Sequence, residues 1–270
     1  MIKSCFFSLA IIFFIVLLAG LISVTGGNGL IIMPSLLMFG YDIKEIMLLV
    51  RASAVVFVFY NVVGMIADKN KISFKKQDLI ITITTCASVL LSITFLSSLD
   101  NITLLFLISL ILIGLFFLVI FKTKLERFST FFIVILPIFS GICCSVIGGA
   151  GLIINILYLL LGVDHVTAVQ KRLVPSLIVQ TFAFLVFLNQ GIQINYSLMI
   201  VIIIATAISG YLSMRIFLNL NPITSKILFY SSFVFAISNL LKSAIEGILD
   251  NYGLAWTDIF YVMFDWLKTY

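Results

Sequence analysis

The sequence predicts an all-α polytopic integral membrane protein built from two homologous, inverted repeats. Each repeat would hold a hairpin with a short Gly-headed helix, followed by three transmembrane helices. Three observations lead there. Of 270 residues, 63% are hydrophobic and 10% charged, and the mean hydropathy is +1.29. Uncharged apolar runs of near-spanning length recur along the whole chain. A glycine-centred segment near the start also returns, without a gap, 122 residues later.

The composition excludes several function classes. Phe alone numbers 26, against 16 Lys and Arg and 11 Asp and Glu, so polar surface is too scarce to clothe a soluble globule. A soluble enzyme, a secreted disulfide domain and a disordered chain are therefore ruled out. The four cysteines, Cys5, Cys86, Cys143 and Cys144, sit in apolar runs without metal-knuckle spacing and read as small core residues. The net charge of +5 comes from basic residues clustered between apolar segments. That is the pattern of loops facing anionic lipid, not of a nucleic-acid binder.

Apolar stretches run over 5–24, 26–40, 45–66, 79–97, 102–121, 128–146, 148–162, 173–189, 196–214 and 227–241. Most approach the ~20 residues that span a hydrocarbon core as helix. The first, after a lone Lys3, is too long for a signal peptide and lacks a small-residue cleavage site. Segments 26–40 and 148–162 are too short to span and open with glycine clusters, Gly26-Gly27-Asn28-Gly29 and Gly148-Gly149-Ala150-Gly151. Ser23 to Asp42 matches Ser145 to Asp164 at 11 of 20 positions. The same offset sets Ile72-Ser73-Phe74 on Ile194-Asn195-Tyr196, which makes the chain two copies of one unit: 1–124, then 125–245. Pro34 in the first copy is replaced by Ile156 in the second, so a breaker does not explain both short segments. An even-numbered hairpin in each unit, and hence an inverted pair, is expected. That arrangement puts 11 Lys and Arg on one side and 4 on the other, with Lys69 to Lys76 and Lys122 to Arg127 cytoplasmic and both termini outside. Residues 246–270, with two Trp, read as an interfacial segment.

No catalytic constellation is visible: His165 is the single histidine, and neither a Walker loop nor a GxSxG or HExxH motif is present. An enzyme, a metal and a cofactor are not expected. The glycine clusters are the strongest local signal. A helix that starts inside the membrane presents unpaired N–H groups and the positive end of its dipole, and glycine lets an anion approach them. The candidate substrate-binding residues are Gly26, Gly27, Asn28, Gly29, Pro34, Arg51, Gly148, Gly149, Gly151 and Asn155. Close helix packing is the other reading of the glycines. Arg51, inside an apolar run, either neutralises an anion or snorkels to the interface. Lys171 and Arg172 form either a basic vestibule or a solvated loop end.

Two repeats, each with G-G-x-G-L-I-I leading a short apolar helix that ends in Gly, resemble the sulfite exporter TauE/SafE family over nearly the whole chain. By position, Gly26, Gly27, Gly29 and Pro34 match its first motif, and Gly148, Gly149 and Gly151 its second. The resemblance implies a multi-pass carrier of the bacterial inner membrane that moves small sulfur-containing anions such as sulfite and sulfonates. The expected function is secondary transport of such an anion by alternating access, with the anion and the bilayer as partners and no nucleic acid. A channel and a non-transporting membrane subunit are the competing classes. A channel would need a continuous polar lining, whereas polar residues here gather at helix heads.

Overall fold

A computed structural model describes residues 2–23, 28–41, 43–68, 74–96, 129–147 and 150–221, with single helical positions across 103–117 and 223–249. Eight helices are delimited: α1 (Ile2–Ile22), α2 (Asn28–Met38), α3 (Ile43–Ala67), α4 (Lys76–Leu96), α5 (Ser129–Ile147), α6 (Ala150–Leu160), α7 (His165–Leu188) and α8 (Tyr196–Leu218). No strand occurs among the described residues. Among the described residues, four helical stretches are long and apolar enough to cross a membrane: Lys44–Ala67, Lys76–Ile93, His165–Leu188 and Tyr196–Leu218. The two short segments become the 11-residue helices α2 and α6, whose first and last residues differ by the repeat offset. Gly26, Gly27, Gly148 and Gly149, and most of the C-terminal segment 246–270, lie outside the described residues.

Equivalent glycines end the two short helices. Gly40 and Gly162 adopt φ of 76° and 80°, a left-handed turn that side chains with a Cβ rarely take. Past Gly162, the Val163 N–H donates to the Tyr158 carbonyl at 3.0 Å and closes the helix end. The next helix starts earlier than the apolar pattern suggested, at His165, not near 173. The reason is Asp164, whose side chain accepts from the Thr167 N–H at 3.0 Å as an N-cap. Those hydrogen bonds from Thr167 hold the Asp164 carboxyl below the usual carboxylate range. Lys171 and Arg172 thus lie within a helix, not in a loop.

Helices α4 and α8 bury small polar residues and turn apolar ones outward. On α8, Ile200, Ile204, Ile208, Leu212 and Ile216 recur every four residues and are exposed, while Thr206, Ser209 and Ser213 are buried. On α4, Thr82, Thr85, Ser88 and Ser92 face inward while Ile83, Leu90 and Leu91 face out. Water would penalise such an arrangement, but lipid chains solvate the isoleucines as well as a protein core does. Several buried hydroxyls are satisfied within their own helices: Thr85 donates to the Ile81 carbonyl at 2.7 Å and Thr206 to the Ile202 carbonyl at 2.6 Å.

Small residues also set the helix contacts. A Cβ added at Gly20 of α1 would overlap the Ser209 hydroxyl of α8 and stand 2.5 Å from its Cβ. One added at Gly141 of α5 would stand 2.7 Å from the Thr85 carbonyl of α4. The interfaces come in exchanged pairs: α1 with α8 and α5 with α4, α3 with α8 and α7 with α4, α2 with α3 and α6 with α7. The α3–α7 contact is its own counterpart.

Side-chain contacts fix the helix directions. Arg51 near the start of α3 lies over the ring of Phe187 near the end of α7. Met65 near the end of α3 shares an apolar cluster with Val169 and Leu173 near the start of α7. Hence α3 and α7 are antiparallel. Helix α8 runs parallel to α3: Glu45 accepts from the Asn195 N–H at 2.8 Å at one end, and Arg215 pairs with Asp68 at 3.2 Å at the other. Helix α4 runs with α5, since Ser88 donates to the Ile138 carbonyl and Ser145 to Ser92 further along both. It also runs with α7: Asp78 at its start bonds Tyr158, whose ring lies under Lys171, while Val89 packs with Val179 and Ala183. So α5 and α7 point the same way although only residues 148–164 join them. Helix α6 must therefore run back, as the return limb of a hairpin that enters and leaves at one end of the bundle.

Gly20→Ala should lower stability in detergent by about 1–3 kcal/mol through overpacking. Ser209→Gly in the same chain should recover most of it, because the clash is with that side chain. Thermal unfolding of the two variants checks this.

Candidate functional site

Arg51 is the ninth residue of α3, roughly 12 Å along the helix at 1.5 Å per residue. It is 0% exposed, so the snorkelling reading does not hold. Its guanidinium turns inward, donating through Nη1 to the Met47 carbonyl one turn back and through Nη2 to the Cys144 carbonyl at 3.3 Å. Its Cζ lies 3.4 Å from the centroid of the Phe187 ring, and a desolvated cation over an aromatic face is worth about 2 kcal/mol. Nε has no hydrogen-bond partner, and among the described residues no carboxylate pairs with this arginine. Among the described residues, the charge is thus held by two carbonyl dipoles and a ring, without a counter-ion.

The location ties Arg51 to the second glycine cluster. Cys144 lies near the end of α5, four residues before Gly148, and its thiol donates to the Gln180 side-chain oxygen at 3.4 Å. Past the cluster, Gly151 and Asn155 on α6 are buried. Asn155 is 0% exposed, and neither its Nδ2 nor its Oδ1 has a hydrogen-bond partner. Leaving such groups unsatisfied costs about 1–3 kcal/mol each. The Arg51 Nε and the Asn155 Nδ2 are donors that acceptor oxygens would satisfy, while the Asn155 Oδ1 calls for a donor.

The first glycine cluster is bracketed in a similar way. Asn28 opens α2, is 4% exposed, and accepts from the Gly29 N–H at 3.0 Å while its Nδ2 stays unpaired. Ser23, at the end of α1, is fully buried with an unpaired hydroxyl. Pro34 lies within α2. The described contacts bring together Arg51 and the end of α5; they do not join Asn28 to Asn155.

One residue of the region was misread from sequence. Arg172 is no solvated loop end: it is the eighth residue of α7 and 0% exposed, so Arg51 is not the sole basic residue deep in an apolar helix. Arg172 precedes Phe187 by fifteen residues on α7, and Phe187 is level with Arg51. The two arginines are therefore separated by about 22 Å along the helix pair. The repeat offset aligns Arg51 with Leu173, one position beyond Arg172, so an identity search over the repeats passes over the correspondence. Ser176, one turn on, is also fully buried with an unpaired hydroxyl.

Residues 12–240, most of the chain, match the family model described as Sulfite exporter TauE/SafE. The chain belongs to the sulfite exporter TauE/SafE family. No curated protein and no solved structure matches it. TauE/SafE membership implies a multi-pass membrane transporter of sulfur-containing anions, which accords with the four membrane-length helices. It is a family of transporters, not of enzymes, and among the described residues no cluster of His, Cys, Asp and Glu could hold a metal.

Arg51→Gln should leave the protein inserted and lower anion uptake at least about tenfold, since a charge-assisted hydrogen bond is worth about 1.5–3 kcal/mol. Arg51→Lys should restore only part, because an ammonium lacks the planar fork. Initial uptake rates at equal membrane abundance check this.

Proposed function

We propose that this chain is a secondary transporter of a small sulfur oxyanion or sulfonate in a bacterial inner membrane, working by alternating access between two inverted repeats. The observation that carries the reading is the buried Arg51 charge, without a carboxylate among the described residues, next to the end of the helix that leads into Gly148-Gly149. On insertion scales an arginine at hydrocarbon depth costs about 2.5–3.5 kcal/mol. A bound anion supplies the missing charge. Sulfur oxyanions carry several acceptor oxygens and no donors, which suits the unpaired Arg51 Nε and the Nδ2 groups of Asn28 and Asn155.

The inverted arrangement draws support from the antiparallel run of α3 and α7, which are equivalent in the sequence repeat, and from α6 as the return limb of a hairpin. Rocking of one repeat against the other about the α3–α7 contact would expose the anion to each side in turn. The glycine clusters would bring backbone N–H groups and helix dipoles to the anion: Gly29 and Gly151 lie in the first turns of α2 and α6, and Gly26, Gly27, Gly148 and Gly149 precede those helices in the sequence.

Purified chain in proteoliposomes, loaded with sulfite, thiosulfate, a sulfonate or a carboxylate, tests this. Faster flux of the sulfur anions than of the carboxylate is expected, and Gly27→Leu or Gly149→Leu should abolish it while the protein stays inserted. Absence of flux for every anion, or wild-type flux in both leucine variants, would overturn the proposal.

A further inference from the structure

Away from Arg51 and Asn155, the fully buried residues Ser23, Asn61, Arg172 and Ser176 each keep a polar side-chain atom without a hydrogen bond. They come from α1, α3 and α7, and the helix register sets them close to one level. Phe187 marks the level of Arg51 on the antiparallel α3–α7 pair. Asn61 lies ten residues beyond Arg51, roughly 15 Å, and Ser176 eleven residues before Phe187, roughly 16 Å. Arg172 is one turn further, at the i, i+4 spacing that places it on the face of Ser176. Phe57 and Met65, one turn either side of Asn61, share an apolar cluster with Val169 and Leu173 of α7. Helix α1 reaches the same level. A Cβ on Gly20 would overlap Ser209 and stand 3.4 Å from the Phe57 ring, while Ile12 and Val16, earlier in α1, cluster with Leu198 and Ile202, earlier in α8. So α1 runs with α8 and α3. The helical turn continues to Ser23, whose N–H donates to the Ala19 carbonyl at 2.9 Å. Ser23 is therefore about one turn past Phe57 and Ser209, level with Asn61 and Ser213.

The repeat relates this layer to the first site. At the offset of 122, the contact of Arg51 with Phe187 corresponds to that of Leu173 with Met65, and Arg172 is the neighbour of Leu173. Cys144, the α5 residue that the Arg51 guanidinium meets, corresponds to Ile22 at the end of α1, the neighbour of Ser23. A buried arginine level with the end of a helix that leads into a glycine cluster thus occurs at both ends of the α3–α7 pair. We propose that Arg172, Ser176, Asn61 and Ser23 form a second binding site for a small oxyanion, the two-fold mate of the Arg51 site and about 22 Å from it along the helix pair. The proposal rests on the transport reading above and adds a second station to it.

The chemistry of the four groups selects the ligand. Ser213 donates to the Asn61 Oδ1 at 3.2 Å, which fixes the amide with its Nδ2 donor as the open end. Arg172 makes a contact elsewhere, yet its Nε and Nη1 form no hydrogen bond. The Ser23 and Ser176 hydroxyls are open as well. A guanidinium, an amide N–H and two hydroxyls can all donate, and an oxyanion accepts from all of them through its several oxygens, whereas a single water has too few lone pairs. An anion leaving the Arg51 site for the opposite face meets a second cation on its way, so it crosses the bundle between two stations, one built on each repeat's arginine.

Equilibrium binding of radiolabelled thiosulfate to the purified full chain in detergent tests this. Two anions per chain are expected at saturation, falling to one in Arg51→Gln and to one in Arg172→Gln. Ser176→Ala guards against a folding defect in the arginine variant, because this hydroxyl has no bond within the protein to lose. It should weaken one of the two binding events about threefold to tenfold and leave the unfolding temperature unchanged. One anion per chain in the wild type, two retained by Arg172→Gln, or wild-type affinities at both sites in Ser176→Ala overturns the second site. Where a single wild-type anion is lost in Arg51→Gln, the transport reading stands without its mate. No thiosulfate bound by the wild type overturns this site and the Arg51 site together.

Discussion

A guanidinium has to be kept inside a protein that is itself solvated by hydrocarbon, and the packing around Arg51 follows from that constraint. Three elements converge on it: its own helix through the Met47 carbonyl, α5 through the Cys144 carbonyl, and α7 through the face of Phe187. Each offers partial negative charge and none offers a full one. Such an arrangement holds a cation poised, without neutralising it, and that is the electrostatic state an anion site needs before its ligand arrives. A carboxylate in the same place would form a stable internal pair and leave nothing for a substrate.

The inside-out helices serve the same end. Because isoleucine gains little from burial when lipid is outside, the inner faces of α4 and α8 can be given to Ser and Thr beside an otherwise apolar core. The close contacts at Gly20, Gly141 and Gly210 draw helices together, with a Cβ at Gly210 falling 2.8 Å from the Phe57 carbonyl. Hydroxyls that bond back to their own helix, as at Thr82 and Ser92, let polar residues face inward at little cost. Among the described residues other than the arginines, Ser23, Asn28, Asn61, Asn155 and Ser176 keep an unsatisfied side-chain group against that background. Three of the five lie close in sequence to a glycine cluster.

Much of this was legible in the sequence. Hydropathy places α1, α3, α4, α5 and α8 within a few residues, and the repeat gives α2 and α6 as equivalent short helices ended by Gly40 and Gly162. The start of α7 was missed because Lys171 and Arg172 interrupt the apolar run, and hydropathy cannot tell a buried charge from a loop. The capping pattern Asp164-x-x-Thr167 was the available signal. Arg172 was lost to the same interruption. The Asp78–Tyr158 contact joins residues 80 apart in different repeats, and nothing local in either segment encodes it. Helix direction, which distinguishes a hairpin from two crossings, came only from tertiary contacts such as Arg51 with Phe187.

Two buried arginines about 22 Å apart on antiparallel helices give the bundle a charge at each level of its central pair. Only Arg51 is shown bonded to the limb that leads into a glycine cluster, and the anion is assigned there. The most direct measurement is a structure of the chain soaked with selenate, a heavier analogue of a sulfur oxyanion whose anomalous signal marks its position. A selenium peak within hydrogen-bonding reach of the Arg51 guanidinium and the Gly148-Gly149 segment is expected. A peak confined to the surface, or none beside Arg51 under conditions where transport is measured, would contradict the assignment.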